Sequence, residues 1–361
     1  MQIIHVADIH LGSKIDARLP KHLAEIRRLE VRKSFQTMLN YANQHAIKII
    51  LLSGDIFDSD LPLKYDKEFF YQLIEQNKHI TFYYLRGNHD CKTSYKIELP
   101  NLKTFTENWT YYTERVETHS TKNEVVIAGI EQTIDNAKSL YNHLQLNANT
   151  VNIVLLHGQE SRSQFGKDIV NITALQNKNI DYLALGHIHT YTYKALDNRG
   201  DYAYSGCLEG RGFDELGTKG FIVLTVENGK ISHEFVANCQ RQIEEIYVDL
   251  TDCAKFVDAI EKVQKNVQLK QDNIYKLILT GEIDFATDTL TEILQNHFST
   301  KIFYLEVQDK TTVKENIENI QNEQSLRGEF VRTVLQDRQK NPEWTSKIIA
   351  LGLKALSGKE V

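Results

Sequence analysis

Apolar residues in the first ninety positions come in short runs, and each run stops at a polar cluster. Ile3, Ile4 and Val6 read as a short buried strand that gives way to Asp8 and His10. Between Leu19 and Ala46, Leu23, Ile26, Leu29, Phe35, Met38, Leu39 and Ala42 recur at helical spacing. Ile49 to Leu52 is unbroken apolar, as in a strand buried on both faces, and it ends at Ser53-Gly54-Asp55-Ile56-Phe57-Asp58. Lys64 to Gln76 reads as a second helix. Ile80 to Leu85 reads as a third strand, ending at Arg86-Gly87-Asn88-His89-Asp90. The alternation predicts an α/β fold, a sheet covered by helices. Its polar residues collect past the C-terminal ends of the strands, where ligands bind in such sheets.

The pattern weakens over residues 101–150, where 124–130 reads as a strand and 135–145 as a helix. It returns at Val151 to Leu156, which stops at His157-Gly158, and at Tyr182 to Leu185, which stops at Gly186-His187-Ile188-His189. Strands at Tyr202–Ser205 and Phe221–Val226 flank a glycine-rich loop, Gly206 to Gly220, and Ile231 to Val236 closes this domain near residue 240. Beyond it, strands at 244–250, 273–283 and 301–307 alternate with helices at 254–267 and 287–298. That unit carries no cluster of metal-ligand types and reads as a small α+β appendage. Residues 312–340 and 342–356 read as helices, with Pro342 at a helix start. The expected domains are therefore 1–240, 241–310 and 311–361.

Composition changes this picture little. A formal net charge of −6 argues against a protein that coats nucleic acid by bulk charge. It leaves open an enzyme that meets phosphate through metal ions, because bound cations dominate the local field. The four cysteines, Cys91, Cys207, Cys239 and Cys253, have no CxxC spacing and fit a reducing compartment. No signal-peptide pattern opens the chain, and no apolar run reaches the roughly 18 residues needed to span a bilayer. The expectation is a cytoplasmic protein with no membrane association.

The strand ends carry the chemistry. Asp8 and His10 are two apart, and in extended chain such residues point the same way, which presents a carboxylate and an imidazole together. Asp55, Asn88, His157, His187 and His189 follow at later strand ends. A pair of divalent ions such as two Mn²⁺ wants this mixture of O and N ligands, and two ions about 3.5–4 Å apart clamp both oxygens of a phosphoryl displacement. Asp55 is the natural bridging carboxylate, and Asn88 can offer its carbonyl oxygen. Each piece alone has a bland reading: Asp-x-His as surface decoration, Gly-Asp as a turn, His157 as a satisfied histidine. Their order, each after a predicted strand, argues for a shared site.

Asp8-x-His10, Gly54-Asp55-x-x-Asp58, Gly87-Asn88-His89-Asp90, His157-Gly158 and Gly186-His187-x-His189 resemble, in order, the five motifs of the calcineurin-like metallophosphoesterases. The resemblance implies the metallophosphoesterase sandwich of mixed β-sheets flanked by helices. It implies two metal ions, most often Mn²⁺ with Fe or Zn²⁺ also accepted, one on Asp8, His10, Asp55 and His189, the other on Asp55, Asn88, His157 and His187. A metal-bound hydroxide would attack phosphorus in line, with His89 aiding the leaving oxygen and Asp58 orienting His89. Asp-x-His-Leu-Gly (8–12), Gly-Asp-Ile-Phe-Asp (54–58), Tyr204-Ser205-Gly206, Phe213-Asp214-Glu215 and Lys219-Gly220 are most similar to the SbcD type of DNA repair nuclease. On that likeness the α+β unit corresponds to a DNA-capping domain, and the C-terminal helices to the segment that holds an SbcC-like ABC-type ATPase. DNA would be the substrate, and a homodimer would be compatible. The loop 206–212 is richer in glycine than the usual pattern of that type.

Two guanidiniums stand beside these motifs. Arg86 could meet phosphate or act as a structural strand-end residue, and Arg211 could contact a phosphodiester. Trp344, Ile348, Ile349, Leu351, Leu353 and Leu356 could face a partner helix or pack within the chain. Competing functions are a small-molecule phosphodiesterase or phosphoprotein phosphatase on the same site, and a scaffold that recruits the ATPase through its tail.

Overall fold

The computed structural model describes residues 1–15, 19–59, 61–90, 98–117, 122–266, 269–283, 290–299, 301–313, 317–336 and 341–356. The chain divides into two units. The first is Met1–Glu245 with Lys270–Lys276 and Ile302–Tyr304; the second is Ile246–Leu269, Leu277–Lys301 and Leu305–Val361.

In the first unit β1 (Gln2–Val6), α1 (Lys21–Gln44), β2 (Ile49–Ser53), α2 (Lys64–Gln76) and β3 (Thr81–Leu85) alternate, followed by β4 (Leu102–Thr104), β5 (Thr110–Glu117) and β6 (Lys122–Gly129). Then come α3 (Leu140–His143), β7 (Val151–His157), β8 (Gln159–Ser161), β9 (Ile169–Asn171), α4 (Ile172–Leu175) and β10 (Tyr182–Gly186). The unit closes with β11 (Thr192–Ala195), β12 (Asp201–Tyr204), β13 (Gly220–Glu227) and β14 (Lys230–Ala237). Two six-stranded mixed sheets form, in the orders β14-β13-β1-β2-β3-β4 and β11-β12-β10-β7-β6-β5. Neighbours β1, β2, β3 and β4 are parallel, as are β6, β7, β10 and β12, while β13, β14, β5 and β11 join antiparallel.

The period of two along each strand explains the layering. On β2, Ile49 and Leu51 turn to a core shared with Val125, Ile127, Ile153, Leu155 and Ala184 of the facing sheet. Ile50 and Leu52 turn to Phe35, Met38, Leu39, Phe70 and Ile74 of α1 and α2. On the far side, Val154, Leu156, Leu183 and Leu185 pack on Leu140, Tyr141, Ile172 and Leu175. The result is a sandwich of two sheets with helices outside, and the parallel strands β1, β2, β3, β7 and β10 open their C-terminal ends at one edge.

Some elements depart from the sequence pattern. Only Leu140–His143 of the expected helix 135–145 is helical; Asn136 instead closes a turn, its side chain accepting from Thr133 N and donating to the Glu131 carbonyl. β5 was not expected; its Glu114 and Arg115 mask the alternation, as edge strands often do.

The second unit contains most of the three-stranded sheet β15-β16-β18 (Ile243–Asp249, Ile274–Thr280, Tyr304–Asp309), together with α5 (Phe256–Asn266), β17 (Glu282–Ile283), α6 (Leu290–Phe298) and β19 (Thr312–Val313). Three helices complete it, α7 (Ile317–Gln321), α8 (Leu326–Gln336) and α9 (Pro342–Leu356). The single helix expected over 312–340 is thus divided: its first residues form β19, and Ser325 starts a new helix by accepting from Gly328 N. Residues 314–316 and 337–340 of that stretch lie outside the described residues, as does 287–289 of the expected helix 287–298. Ile320, Val331, Val334, Ile349 and Leu353 form a small core of their own. Trp344, Leu351 and Leu356 stay exposed, so the apolar face of α9 is only partly used within the chain. No helix among the described residues is long and apolar enough to cross a membrane.

Candidate metal centre

The strand-end residues converge. β1 stops at Val6, and the Asp8 and His10 amides hydrogen-bond to the carbonyls of Gly54 and Asp55, which lays the loop after β1 along the loop after β2. Asp8, His10, Asp55 and His187 all have positive φ, between 51° and 105°. Such left-handed backbone is uncommon for residues with a Cβ and concentrates where a site dictates the chain path. Asp8 and His10 therefore meet through a strained loop rather than through the alternation of an extended strand. Gly87 allows the third loop to close on Asp55: a Cβ there would lie 2.1 Å from Asp55 Oδ1.

Among the described residues three groups of side chains can hold a cation, with ligand atoms in each group within 4.8 Å of one another: Asp8/His10/His189, Asp55/His157/His187, and His10/Asp58/His89, which shares His10 with the first. Asp55 reaches the first two: its Oδ2 lies 3.3 Å from His157 Nε2 and 3.9 Å from His10 Nε2. The side-chain oxygen of Asn88 joins the second group, 3.0 Å from His157 Nε2 and 3.1 Å from His187 Nδ1. Asp8, His10, Asp55 and His157 are buried, His187 and His189 half-buried, and Asn88 and His89 exposed at the mouth.

Contacts outside the clusters fix the imidazoles. His157 Nδ1 donates to the Ser53 carbonyl at 2.8 Å. Glu215 Oε1 lies 2.6 Å from His189 Nδ1, and Asp58 Oδ1 lies 3.0 Å from His10 Nδ1. A carboxylate beside Nδ1 holds the proton there and leaves Nε2 as a lone pair. The Nε2 atoms of His10 and His189 then face each other at 3.2 Å, an arrangement that a shared cation resolves. The donor set and its aim thus fit divalent metal ions.

The charges respond to this crowding. Burial, with repulsion from Asp55, pushes Asp8 up to about 7, His157 offsetting part of the rise. Burial also acts upward on Asp55, but the His157 charge and hydrogen bond, His10 and the His89 amide hold it well below the usual carboxylate range. Burial works against a charged His157, yet Asp55 and Asp8 lift it to about 9. Burial takes His10 down to about 4, against the pull of Asp58.

The expected pairing of the Asp58 carboxylate with His89 is not the one that forms. His89 is held by its amide on Asp55 Oδ1 (2.9 Å) and by Nδ1 donating to the backbone carbonyl of Asp58 (3.1 Å). The Asp58 carboxylate turns instead to His10 and to Arg211 Nη1, at 2.7 Å. Arg211 pairs with Asp58 and Glu215 and its Nη2 also stands 3.1 Å from His189 Nδ1, while Arg86 makes a bidentate pair with Glu131, as a structural strand-end residue does. Asp58 and Glu131 are distant in sequence from the guanidiniums they hold, whereas Glu215 lies four residues after Arg211. Asp90 was also not singled out as a site residue. Buried behind the site, its carboxylate accepts from the amides of Ile56, Phe57 and Gly87 and ties the second loop to the third.

The calcineurin-like phosphoesterase family model matches residues 1–191, over half of the 361-residue chain. The chain belongs to that family, and its activity is that of a phosphoesterase, a hydrolase of phosphoesters. Among particular relatives, the uncharacterized metallophosphoesterase YhaO of Bacillus subtilis is 28% identical over 281 residues, 73% of this chain and 67% of the relative. The DNA double-strand break repair protein Mre11 of Methanosarcina mazei is 30% identical over 96 residues, 26% of this chain and 15% of that protein. A solved structure, "GAP50 the anchor in the inner membrane complex of Plasmodium", aligns with a TM-score of 0.43 at 14% identity, covering 66% of this chain and 84% of that one.

Proposed function

We propose that the chain is a two-metal phosphodiesterase of the SbcD type that cuts DNA in repair, in the cytoplasm, together with an SbcC-like ABC-type ATPase. The observation that carries the hydrolytic part is the pair of clusters joined at Asp55. Asp8, His10 and His189 would hold one ion, and Asn88, His157 and His187 the other, with Asp55 shared; Mn²⁺ is the proposed metal, Fe and Zn²⁺ the alternatives. Bound there, the ions supply Lewis-acid charge and a water of lowered pKa. His89 sits at the mouth with Nδ1 donating to the Asp58 carbonyl, so Nε2 is the atom left to carry a proton to the leaving oxygen. The backbone of Asp58 thus does the orienting expected of its carboxylate.

The similarity to the repair protein Mre11 over 96 residues supports DNA as substrate. On this reading the α+β part of the second unit caps the DNA, and the exposed Trp344, Leu351 and Leu356 of α9 meet the ATPase. A small phosphodiester is the second reading. The cavity of about 580 Å³ beside Asn88 is lined by the carboxylates of Asp90, Glu107, Glu131 and Asp135 and by the cations Arg86 and Lys167, so acidic groups outnumber basic ones there, which favours a small substrate over a polyanion. The test is Mn²⁺-stimulated digestion of linear duplex and hairpin DNA by the full chain. His89→Ala should abolish it while both metals stay bound, and truncation after residue 316 should remove ATPase association yet spare small phosphodiesters. Cleavage of p-nitrophenyl phosphodiesters alone would remove DNA from the account.

A further inference from the structure

The glycine-rich loop between β12 and β13, which carries Arg211 and Glu215, touches the site at several points. Glu215 meets His189 Nδ1 at 2.6 Å. Lys219, buried, donates from Nζ to the His189 carbonyl at 2.9 Å. Arg211 forks: Nη1 reaches Asp58 Oδ1 at 2.7 Å, and Nη2 reaches Glu215 Oε1 at 2.5 Å. The carboxylates it joins are those beside Nδ1 of His10 and His189, the two imidazoles of one cluster. The other cluster is held differently: His157 leans on the Ser53 carbonyl and His187 on Asn88, neither of which belongs to the loop.

The loop is itself anchored at its other end. Glu209 accepts from Arg27 Nη2 at 2.7 Å, from Ser34 Oγ at 2.7 Å and from the amide of Gln240. Arg27 and Glu209 are both buried, and Arg27 also pairs with Glu30 on the same helix. A buried ion pair is costly to break from one side. The segment from Glu209 to Lys219 is thus fastened to α1 at one end and to His10 and His189 at the other.

We propose that Arg211 and Glu215 are positioning residues that set the affinity of the Asp8/His10/His189 cluster alone, through the Nδ1 atoms of its two histidines. The inference rests on the two-metal reading. A planar fork suits this task, since it meets two carboxylates at fixed angles, whereas the ammonium of lysine offers a point charge on a flexible stem. Partners of this kind are worth about 10–100-fold in metal affinity where they have been removed.

The test is Mn²⁺ binding to the full chain, followed by calorimetric titration and by the electron paramagnetic resonance signal of the spin-coupled pair. Wild type should bind two ions. Glu215→Gln and Arg211→Met should weaken one event about 10–100-fold, leave the other within about twofold and remove the coupled signal at intermediate loading. Arg211→Lys should resemble Arg211→Met, and Glu215→Asp should recover part of the loss. Should Arg211→Met fail to fold, Glu215→Gln, which keeps the side chain's size, carries the same comparison. Equal weakening of both events, or no weakening, would overturn the positioning role and leave the two-metal reading intact. A wild-type chain that binds no ion would overturn that reading, and this inference with it.

Discussion

Gly186 sits where β10 of one sheet meets β2 of the other, and Gly186→Ala tests whether the site depends on that junction. A Cβ there would lie 2.0 Å from the Ser53 carbonyl oxygen, 2.8 Å from His157 Nδ1 and 2.9 Å from Ala7 Cβ. Real side chains essentially never approach closer than 3.0 Å, so the strand ends must part by about 1 Å. The intruding methyl also enters the hydrogen bond between His157 and Ser53. Overpacking of this kind costs about 1–3 kcal/mol, which for a unit of this size lowers Tm by roughly 2–12 °C. Loss of the Nδ1 partner should weaken metal at the Asp55/His157/His187 cluster about 10–100-fold, and a shift near 1 Å is enough to lower kcat by about 10²-fold. Thermal melts, metal titration and turnover of bis-p-nitrophenyl phosphate read the three effects. A variant that melts lower yet binds metal and turns over as wild type does would refute the claim that this junction sets the site's geometry.

Asp90→Ala should lower the urea midpoint by an amount equivalent to about 1–3 kcal/mol, because the amides of Ile56, Phe57 and Gly87 lose a buried acceptor; an unchanged midpoint would show that water replaces it. His5, buried beside Tyr182, is lowered by burial to about 3 from 6.5. The unfolded chain therefore takes up a proton below about pH 6.5 that the folded protein refuses, and stability falls with pH, by about 2 kcal/mol from this group between pH 7 and 5. His5→Gln should flatten that slope in denaturant melts, and an identical slope would contradict it. Saturating Mn²⁺ should raise Tm over the chelator-treated protein, each ion adding about 3 kcal/mol at a hundredfold excess over its Kd; no shift in a calorimetric scan would count against the clusters being metal sites.

The parts of this protein that can be read from its sequence are those whose cause is local. The run Ile49–Leu52 needs both faces covered, and both are. The polar residues that follow β1, β2, β3, β7 and β10 converge because parallel strands deliver their C-terminal ends to one edge. Harder to read are features set by distant partners. Asp8 and His10 share a pocket because their loop is pinned to Gly54 and Asp55 in left-handed backbone, which no alternation rule contains. The Asp58 carboxylate goes to Arg211, 153 residues away, rather than to His89. Ser325 breaks a helical pattern that looked continuous because a single capping hydroxyl outweighs average spacing.

The most direct test of the account is anomalous scattering at the manganese edge from crystals of the full chain grown with Mn²⁺. Two peaks about 3.5–4 Å apart, one on each side of the Asp55 carboxylate, are the predicted result. A single peak, or peaks away from Asp8, His10, His157, His187 and His189, would contradict it.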